Sequence, residues 1–402
     1  MLNYNSQNQL CFSHDNKFSD PLINIVNNLK YEKPIYLYYK EELEHRVRFL
    51  KNTLSPIEIF YALKANAFAP IVQMLIKEGV GLDVVSLGEI ECGLRNGCPP
   101  QKMIFSGVGK SHKEIEMAIR LKIRQINVES IPELLRISSI ARSLNLKAPI
   151  ALRVNPDVDA ATHPYIATGL KNNKFGIETI ALSEAENILH SNLDSLEFLG
   201  FSLHIGSQIL DLNPFQEAFD KLKNIIIDWQ SRGWIFNTLD AGGGLGINYT
   251  QDDFASEEKL AQQWSNQIKN SWKNNAENFF VEPGRWLVSH SGVLITKVEY
   301  IKKTSHHQFL IVDTGMHHLM RPALYQAKHR ILPLIKNNNF EPQTSYQIVG
   351  PICESSDVIN SEVMLTDNIT EGDYLAILDT GAYGSSMSNC YNQRELPLEL
   401  LI

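Results

Sequence analysis

Short apolar, β-branched runs recur along most of the chain: 57–62 (IEIFYA), 81–85 (GLDVV), 102–106 (KMIFS), 124–128 (RQINV), 149–154 (PIALRV), 197–203 (EFLGFSL), 236–240 (FNTLD) and 279–282 (FFVE). Segments of helical period lie between them, among them 69–79 (APIVQMLIKEG), 86–97 (SLGEIECGLRNG), 111–122 (SHKEIEMAIRLK) and 131–144 (IPELLRISSIARSL). Strands that alternate with helices predict βαβ units and a parallel sheet. A doubly wound open sheet is the alternative, but eight strands within about 250 residues favour a (β/α)8 barrel. The stretch 34–39 (PIYLYY) reads as a strand and 40–54 as an amphipathic helix, whereas the first thirty residues are weakly patterned. Past residue 290 the pattern changes. Strand-like runs at 292–301, 307–315, 345–350, 361–366 and 373–381 are interrupted by one helical stretch, 320–332 (MRPALYQAKHRIL). The expected architecture is an α/β chain: a barrel over 38–288, then a β-rich C-terminal domain over 289–402 joined by the N-terminal segment 1–37.

Composition narrows the classes. Hydrophobic residues are 44% and charged residues 20%, so the chain can bury a core and is not disordered. The net charge is −8 with no long basic run, which argues against nucleic acid or an anionic membrane as partner. No apolar stretch is long enough to span a bilayer. The first twenty residues lack a signal peptide's apolar core, and a cytoplasmic protein is expected. Cys11, Cys92, Cys98, Cys353 and Cys390 are scattered and odd in number, so they read as thiols, not a disulfide framework.

In a barrel, chemistry gathers where strands end. Four polar groups fall there: Lys64 after the first strand, His204 after the sixth, the cluster GGGLG (242–246) after the seventh, and Glu282 in EPGR (282–285) after the eighth. Each has an ordinary explanation. Lys64 could snorkel from a strand end, His204 could be a satisfied core histidine, and Glu282 could pair with an arginine. Taken together they suggest more. A desolvated lysine amine can form a Schiff base. Glycines let backbone N–H groups approach a phosphate, and Arg285 adds a bidentate cation. Ser207 could donate to the phosphate and His204 stack on a ring face. A carboxylate such as Glu282 could hold a pyridinium nitrogen. The set points to pyridoxal 5'-phosphate, while a sugar-phosphate barrel or a Schiff-base aldolase stays open. His317 and His318 are adjacent, with no supporting ligand spacing, so no metal is expected.

YALKAN, HIGSQ, GGGLGI, EPGR, RPALYQA, GPICES and GAYGSSMSNCYNQR occur in this order. In this the chain resembles the diaminopimelate decarboxylases, pyridoxal-phosphate enzymes of the alanine-racemase-like barrel fold. The stretch 154–177 also looks like that family's long loop. The resemblance implies that Lys64 carries the cofactor as a Schiff base, that His204 stacks on its ring and that Glu282 contacts its nitrogen. Ser207, Gly243, Gly244, Pro283, Gly284 and Arg285 would hold the phosphate, and Tyr383 would touch cofactor or substrate. It further implies that Arg285, Arg321 and Tyr325 bind substrate carboxylates, that Cys353 is the catalytic proton donor, and that Glu354 binds the distal amine. The Cys353 segment would come from the partner subunit, making a homodimer with shared active sites. The implied reaction is meso-2,6-diaminopimelate to L-lysine and carbon dioxide, the last step of lysine biosynthesis; the alternative is a related decarboxylase acting on another α-amino acid. A dead homologue is the contrasting class, and the presence of Lys64, Cys353 and Glu282 argues against it. Departures from the family pattern are His317 and His318 in place of an Asn-Asp pair, YNQR after SNC, and a chain that stops at Ile402, before the family's usual further segment. The first bears on specificity and the last on the β domain or the dimer. Cys11, Cys92, Cys98 and Cys390 read as small buried residues.

Overall fold

Eight parallel strands close on themselves in the computed structural model, which describes residues 2–14, 17–29, 33–160, 168–170, 173–251, 253–272, 275–336 and 343–402. They are β1 (Glu58–Ala62), β2 (Gly81–Val84), β3 (Met103–Phe105), β4 (Gln125–Val128), β5 (Ala148–Asn155), β6 (Leu196–Leu203), β7 (Thr238–Asp240) and β8 (Asn278–Val281). Each pairs with the next. β8 pairs with β1, and β4 with β5 through Ile126↔Ile150, so the sheet has no break in its circuit. The expected barrel is therefore present, with strand ends within a residue or two of the apolar runs. β-Branched and aromatic side chains suit strands buried on both faces. Phe60, Ile104 and Phe280 form one buried cluster, with the two phenyl rings edge to face at 4.9 Å. Full burial of such side chains contributes about 1.5–3 kcal/mol each.

The intervening helices start where capping chemistry permits. Ser86, Ser111 and Ser130 each accept the backbone N–H three residues on, opening helices Leu87–Arg95, His112–Leu121 and Ile131–Ser143. Ser111 and Glu114 complete a reciprocal capping box.

The chain divides into two units. One holds Val47–Ile247 and Phe254–Trp286; the other holds Met1–Arg46, Asn248–Asp253 and Leu287–Ile402. The second unit is built on a sheet with the order Ile331–Pro333, Tyr374–Ile377, Gly292–Lys303, Gln308–Val312, Gln343–Val349, Val358–Thr366. Strand Ile35–Tyr38 lies antiparallel to Gly292–Lys303 and parallel to Leu398–Leu401. Its core gathers Leu10, Phe12, Leu22, Ile35, Val293 and Ile295.

Two sequence expectations fail here. The helix over 320–332 is only Arg321–Tyr325. Gln326 turns left-handed at φ 54°, and Ile331–Pro333 joins the sheet beside Tyr374–Ile377. The ladder on an apolar sheet outweighs helical propensity. The unpatterned N-terminus, conversely, forms strands Leu2–Tyr4 and Leu10–His14 and a helix, Leu22–Leu29, that buries Leu22 and Val26 one turn apart. Of the 154–177 stretch, residues 161–167 and 171–172 lie outside the described residues.

Candidate active site

In the barrel unit the polar groups gather at or near the C-terminal ends of the strands. β1 runs into a single 3-10 turn, Leu63–Ala65, and this turn carries Lys64. Its Nζ donates to Oδ2 of Asp83 at 2.7 Å. Asp83 lies within β2 and is fully buried, and its Oδ1 has no hydrogen-bond partner among the described residues. The Pro283 carbonyl accepts the Ala62 N–H at 3.1 Å, which fixes the segment after β8 against the end of β1. A Cβ on Gly284 would come within 3.0 Å of the Ala62 methyl, so glycine is what allows this approach.

The loop after β7 forms a cradle. Asp240 Oδ1 accepts the Gly242 N–H at 2.8 Å, and the Gly243 N–H donates to Nδ1 of His204 at 3.1 Å. A Cβ on Gly243 would collide with the Glu282 carbonyl oxygen; one on Gly244, where φ is +109°, would lie 2.5 Å from the Gly206 carbonyl oxygen. Only glycine fits there. Arg285 is buried and its Nη2 donates to Ser207 Oγ at 3.1 Å, so cation and hydroxyl meet at the same loops.

His204 follows β6. Burial pushes its imidazole well below the ordinary histidine range, and the charges of Arg153 and Lys64 push it further. It is neutral, and the Gly243 contact assigns its proton to Nε2. Arg153, on β5, is itself paired with Glu129 at 2.6 Å.

Glu282 follows β8. Its Oε1 accepts from Ser106 Oγ and from Asn127 Nδ2, each at 3.2 Å. Asn127 Nδ2 also reaches Asp240 Oδ2 at 3.2 Å. Burial pushes the Glu282 carboxyl well above the usual carboxylate range; Asp240 and Asp83 push the same way and Lys64 opposes them. Burial also raises Asp240, so the two carboxyls, both reached by Asn127 Nδ2, are both held towards the neutral form. Glu89 accepts the Val85 N–H at 2.8 Å and is pushed up to about 7 by burial.

This arrangement fits pyridoxal phosphate. The glycine loop excludes side chains from an anion cradle, Arg285 supplies a buried cation, and Lys64 supplies an amine. Glu282 is a buried carboxyl that a pyridinium N–H would favour in its ionised form.

Lys64, His204, Ser207, Gly243, Gly244, Glu282, Pro283, Gly284 and Arg285 thus belong to the barrel unit, while Arg321, Tyr325, Cys353, Glu354 and Tyr383 belong to the second unit. There Arg321 is buried and Tyr325 half-buried. Cys353 is exposed, and its N–H donates to Asn392 Oδ1 at 3.3 Å. The exposed Glu354 accepts from the Tyr391 hydroxyl at 2.7 Å. Tyr383 is half-buried with φ +56°. Cys11 and Cys98 are buried as expected, but Cys390 is exposed and Cys92 only half-buried. Cys390 immediately precedes the short turn Tyr391–Gln393. Asp83, Ser106, Asn127, Arg153 and Asp240 were not singled out in the sequence. Their signal was a polar residue near the end of each apolar run, as in INV and TLD. Among the described residues no group of three or more His, Cys, Asp or Glu is arranged to hold a metal ion.

Residues 40–289 match the family model for the pyridoxal-binding domain of pyridoxal-dependent decarboxylases. The chain is 41% identical to a Vibrio cholerae diaminopimelate decarboxylase over 95% of its length and 90% of the relative's. It is 43% identical to a Helicobacter pylori diaminopimelate decarboxylase, over 92% of this chain and 91% of that one. The chain belongs to the diaminopimelate decarboxylase family. The fold agrees with that of solved family members. A Helicobacter pylori diaminopimelate decarboxylase complexed with L-lysine superposes with TM-score 0.87 at 40% identity, covering 94% of each chain. The M. jannaschii enzyme in complex with L-lysine gives 0.88 at 34% identity, over 100% of this chain and 92% of that one. As a member of the diaminopimelate decarboxylase family, the protein is a pyridoxal-phosphate-dependent carboxy-lyase.

Proposed function

We propose that the protein decarboxylates meso-2,6-diaminopimelate to L-lysine and carbon dioxide, the last step of lysine biosynthesis, as a cytoplasmic homodimer with shared active sites. The observation that carries this reading is Lys64 held by buried Asp83 in the same ring of strand ends as the glycine cradle and Glu282, in a chain of this family.

Pyridoxal phosphate, when bound, supplies an electron-withdrawing ring that accepts the electron pair left as carbon dioxide departs. The chain's own residues do the rest. Lys64 tethers the cofactor and Asp83 holds its amine in place. His204, neutral, offers a flat ring face. The backbone N–H of Gly244, with Ser207, Gly284 and Arg285, binds the phosphate, and Gly243, whose N–H is held by His204 Nδ1, lines the cradle without a side chain. Glu282, with Asp240 and Asn127 behind it, holds the ring nitrogen. Tyr383 touches cofactor or substrate. Cys353 of the partner subunit holds the proton delivered to the substrate's α-carbon, so the barrel, about 38–288, and the β-rich domain, 289–402 with 1–37, act across the dimer.

Arg285, Arg321 and Tyr325 bind substrate carboxylates, and Glu354 the distal amine. Arg321 is the discriminating group. A diamine-forming decarboxylase has no distal carboxylate, and a buried arginine without its anion is costly. Carbon dioxide release from meso-diaminopimelate, lysine, ornithine and arginine tests the reading. Release from meso-diaminopimelate alone is expected; comparable release from any of the other three overturns it.

A further inference from the structure

Arg321 opens the helix Arg321–Tyr325 and is 4% exposed. Its guanidinium carbon lies 4.2 Å from the centroid of the Tyr249 ring. Its Nη1 donates to Nε2 of His329 at 2.8 Å. Across the imidazole, Nδ1 donates to the Leu378 carbonyl oxygen at 2.7 Å. An arginine has no lone pair to offer and a carbonyl has no proton. One form of His329 satisfies both neighbours: the neutral ring with its proton on Nδ1 and its lone pair on Nε2.

His329 is held from several sides. Its carbonyl accepts from Asn360 Nδ2 at 3.2 Å, and the next carbonyl, of Arg330, accepts the Leu378 N–H at 2.9 Å. The Tyr249 ring stands edge to face with the imidazole at 5.3 Å, and its hydroxyl is 3.3 Å from Ser289 Oγ. The guanidinium therefore rests on one aromatic face and is turned by one ring nitrogen. Because that acceptor is neutral, it turns the guanidinium without itself cancelling the positive charge. A carboxylate at the same place would orient it equally well and cancel the charge.

We propose that His329 is a positioning residue: together with the Tyr249 ring it fixes the direction of the Arg321 guanidinium, and so sets the preference for a substrate with a distal carboxylate. The inference rests on the reading of Arg321 given above.

Kinetics with meso-diaminopimelate, and inhibition by 1,5-diaminopentane, which has the same two amines on the same spacing but no carboxylate, separate the effects. His329→Asn keeps a donor towards Leu378 but has no acceptor that reaches Arg321. Its KM for meso-diaminopimelate should rise about tenfold, as for a lost hydrogen bond to a charged group. Its kcat should stay within about twofold, and the 1,5-diaminopentane inhibition constant should not move. His329→Gln, whose carbonyl extends to the place of Nε2, should recover most of the KM. On an Arg321→Ala background His329→Asn should add nothing. A KM rise matched by the 1,5-diaminopentane constant, or a full further loss on that background, overturns the positioning role. If His329→Asn does not fold, Tyr249→Leu carries the same expectation with a smaller rise, and an unchanged KM there overturns it. Arg321→Ala alone guards the underlying reading. If it weakens both ligands equally, that reading fails; if it discriminates and His329→Asn does not, only the role of His329 fails.

Discussion

His317 is 1% exposed, and neither of its ring nitrogens has a hydrogen-bond partner among the described residues. Its ring lies 3.6 Å from that of His318, which donates from Nε2 to the Glu395 carbonyl and sits 3.0 Å from Thr314 Oγ1. Burial holds His317 down at about 3, with the His318 and Arg394 charges adding; burial and Arg394 hold His318 at about 4. Unfolded, both titrate near 6.5. As pH falls below 6.5 the unfolded chain binds protons that the folded chain refuses, so stability drops from there towards pH 4. Urea unfolding midpoints should fall steadily between pH 7 and pH 5, and His317→Asn should flatten that slope; an equal slope in the variant would count against this account. At this scale the sequence was only half legible. Lys64, His204 and Glu282 could be found because each sits in a recognisable run after a strand. Asp83, Asn127 and Asp240 could not, because one polar residue in an apolar strand gains meaning only when the barrel brings the strand ends together. The partner of Arg321, His329, was hidden by the left-handed turn at Gln326, which no helical periodicity reveals.

The glycine loop after β7 shows how tightly one element constrains another. Gly243 packs against the Glu282 carbonyl, so a side chain there meets backbone, which cannot rotate away. Gly243→Ala should weaken pyridoxal phosphate binding at least about tenfold, since the donors are displaced from the anion. An absorbance titration of the apo-protein measures this directly, and wild-type affinity would show that the cradle tolerates the shift. The barrel strands were legible because all eight carry dense apolar runs, and the second unit's strands because runs such as GVLITKVEYI and DYLAILDTG are rich in strand-forming residues. The helix Leu22–Leu29 was not, because its apolar positions are interleaved with asparagines over barely two turns. Where 320–332 was read as one helix, the apolar residues near its end belong to a strand that pairs with Tyr374–Ile377. Periodicity over so short a span cannot separate the two.

The proposed exchange of Cys353 between subunits has a direct test. Lys64→Ala and Cys353→Ala chains, each nearly inactive alone, are refolded together. In a mixed dimer one site carries both faults and the other none, so activity should climb towards about a quarter of wild type on random pairing. No recovery, with mixed dimers shown to form, would mean that each chain builds its own site. The two-unit division also has a consequence for how the chain is made. Strand Ile35–Tyr38 is buried over its whole length, yet its hydrogen-bonding neighbours are Gly292–Lys303 and Leu398–Leu401. The barrel segments lie between, and they can leave the ribosome and pair among themselves while this strand still has both edges bare. An unpaired apolar strand of this kind invites intermolecular pairing. The nascent chain is therefore most vulnerable not at its barrel but at a strand made before it, and any pause in translation before Gly292 prolongs that exposure.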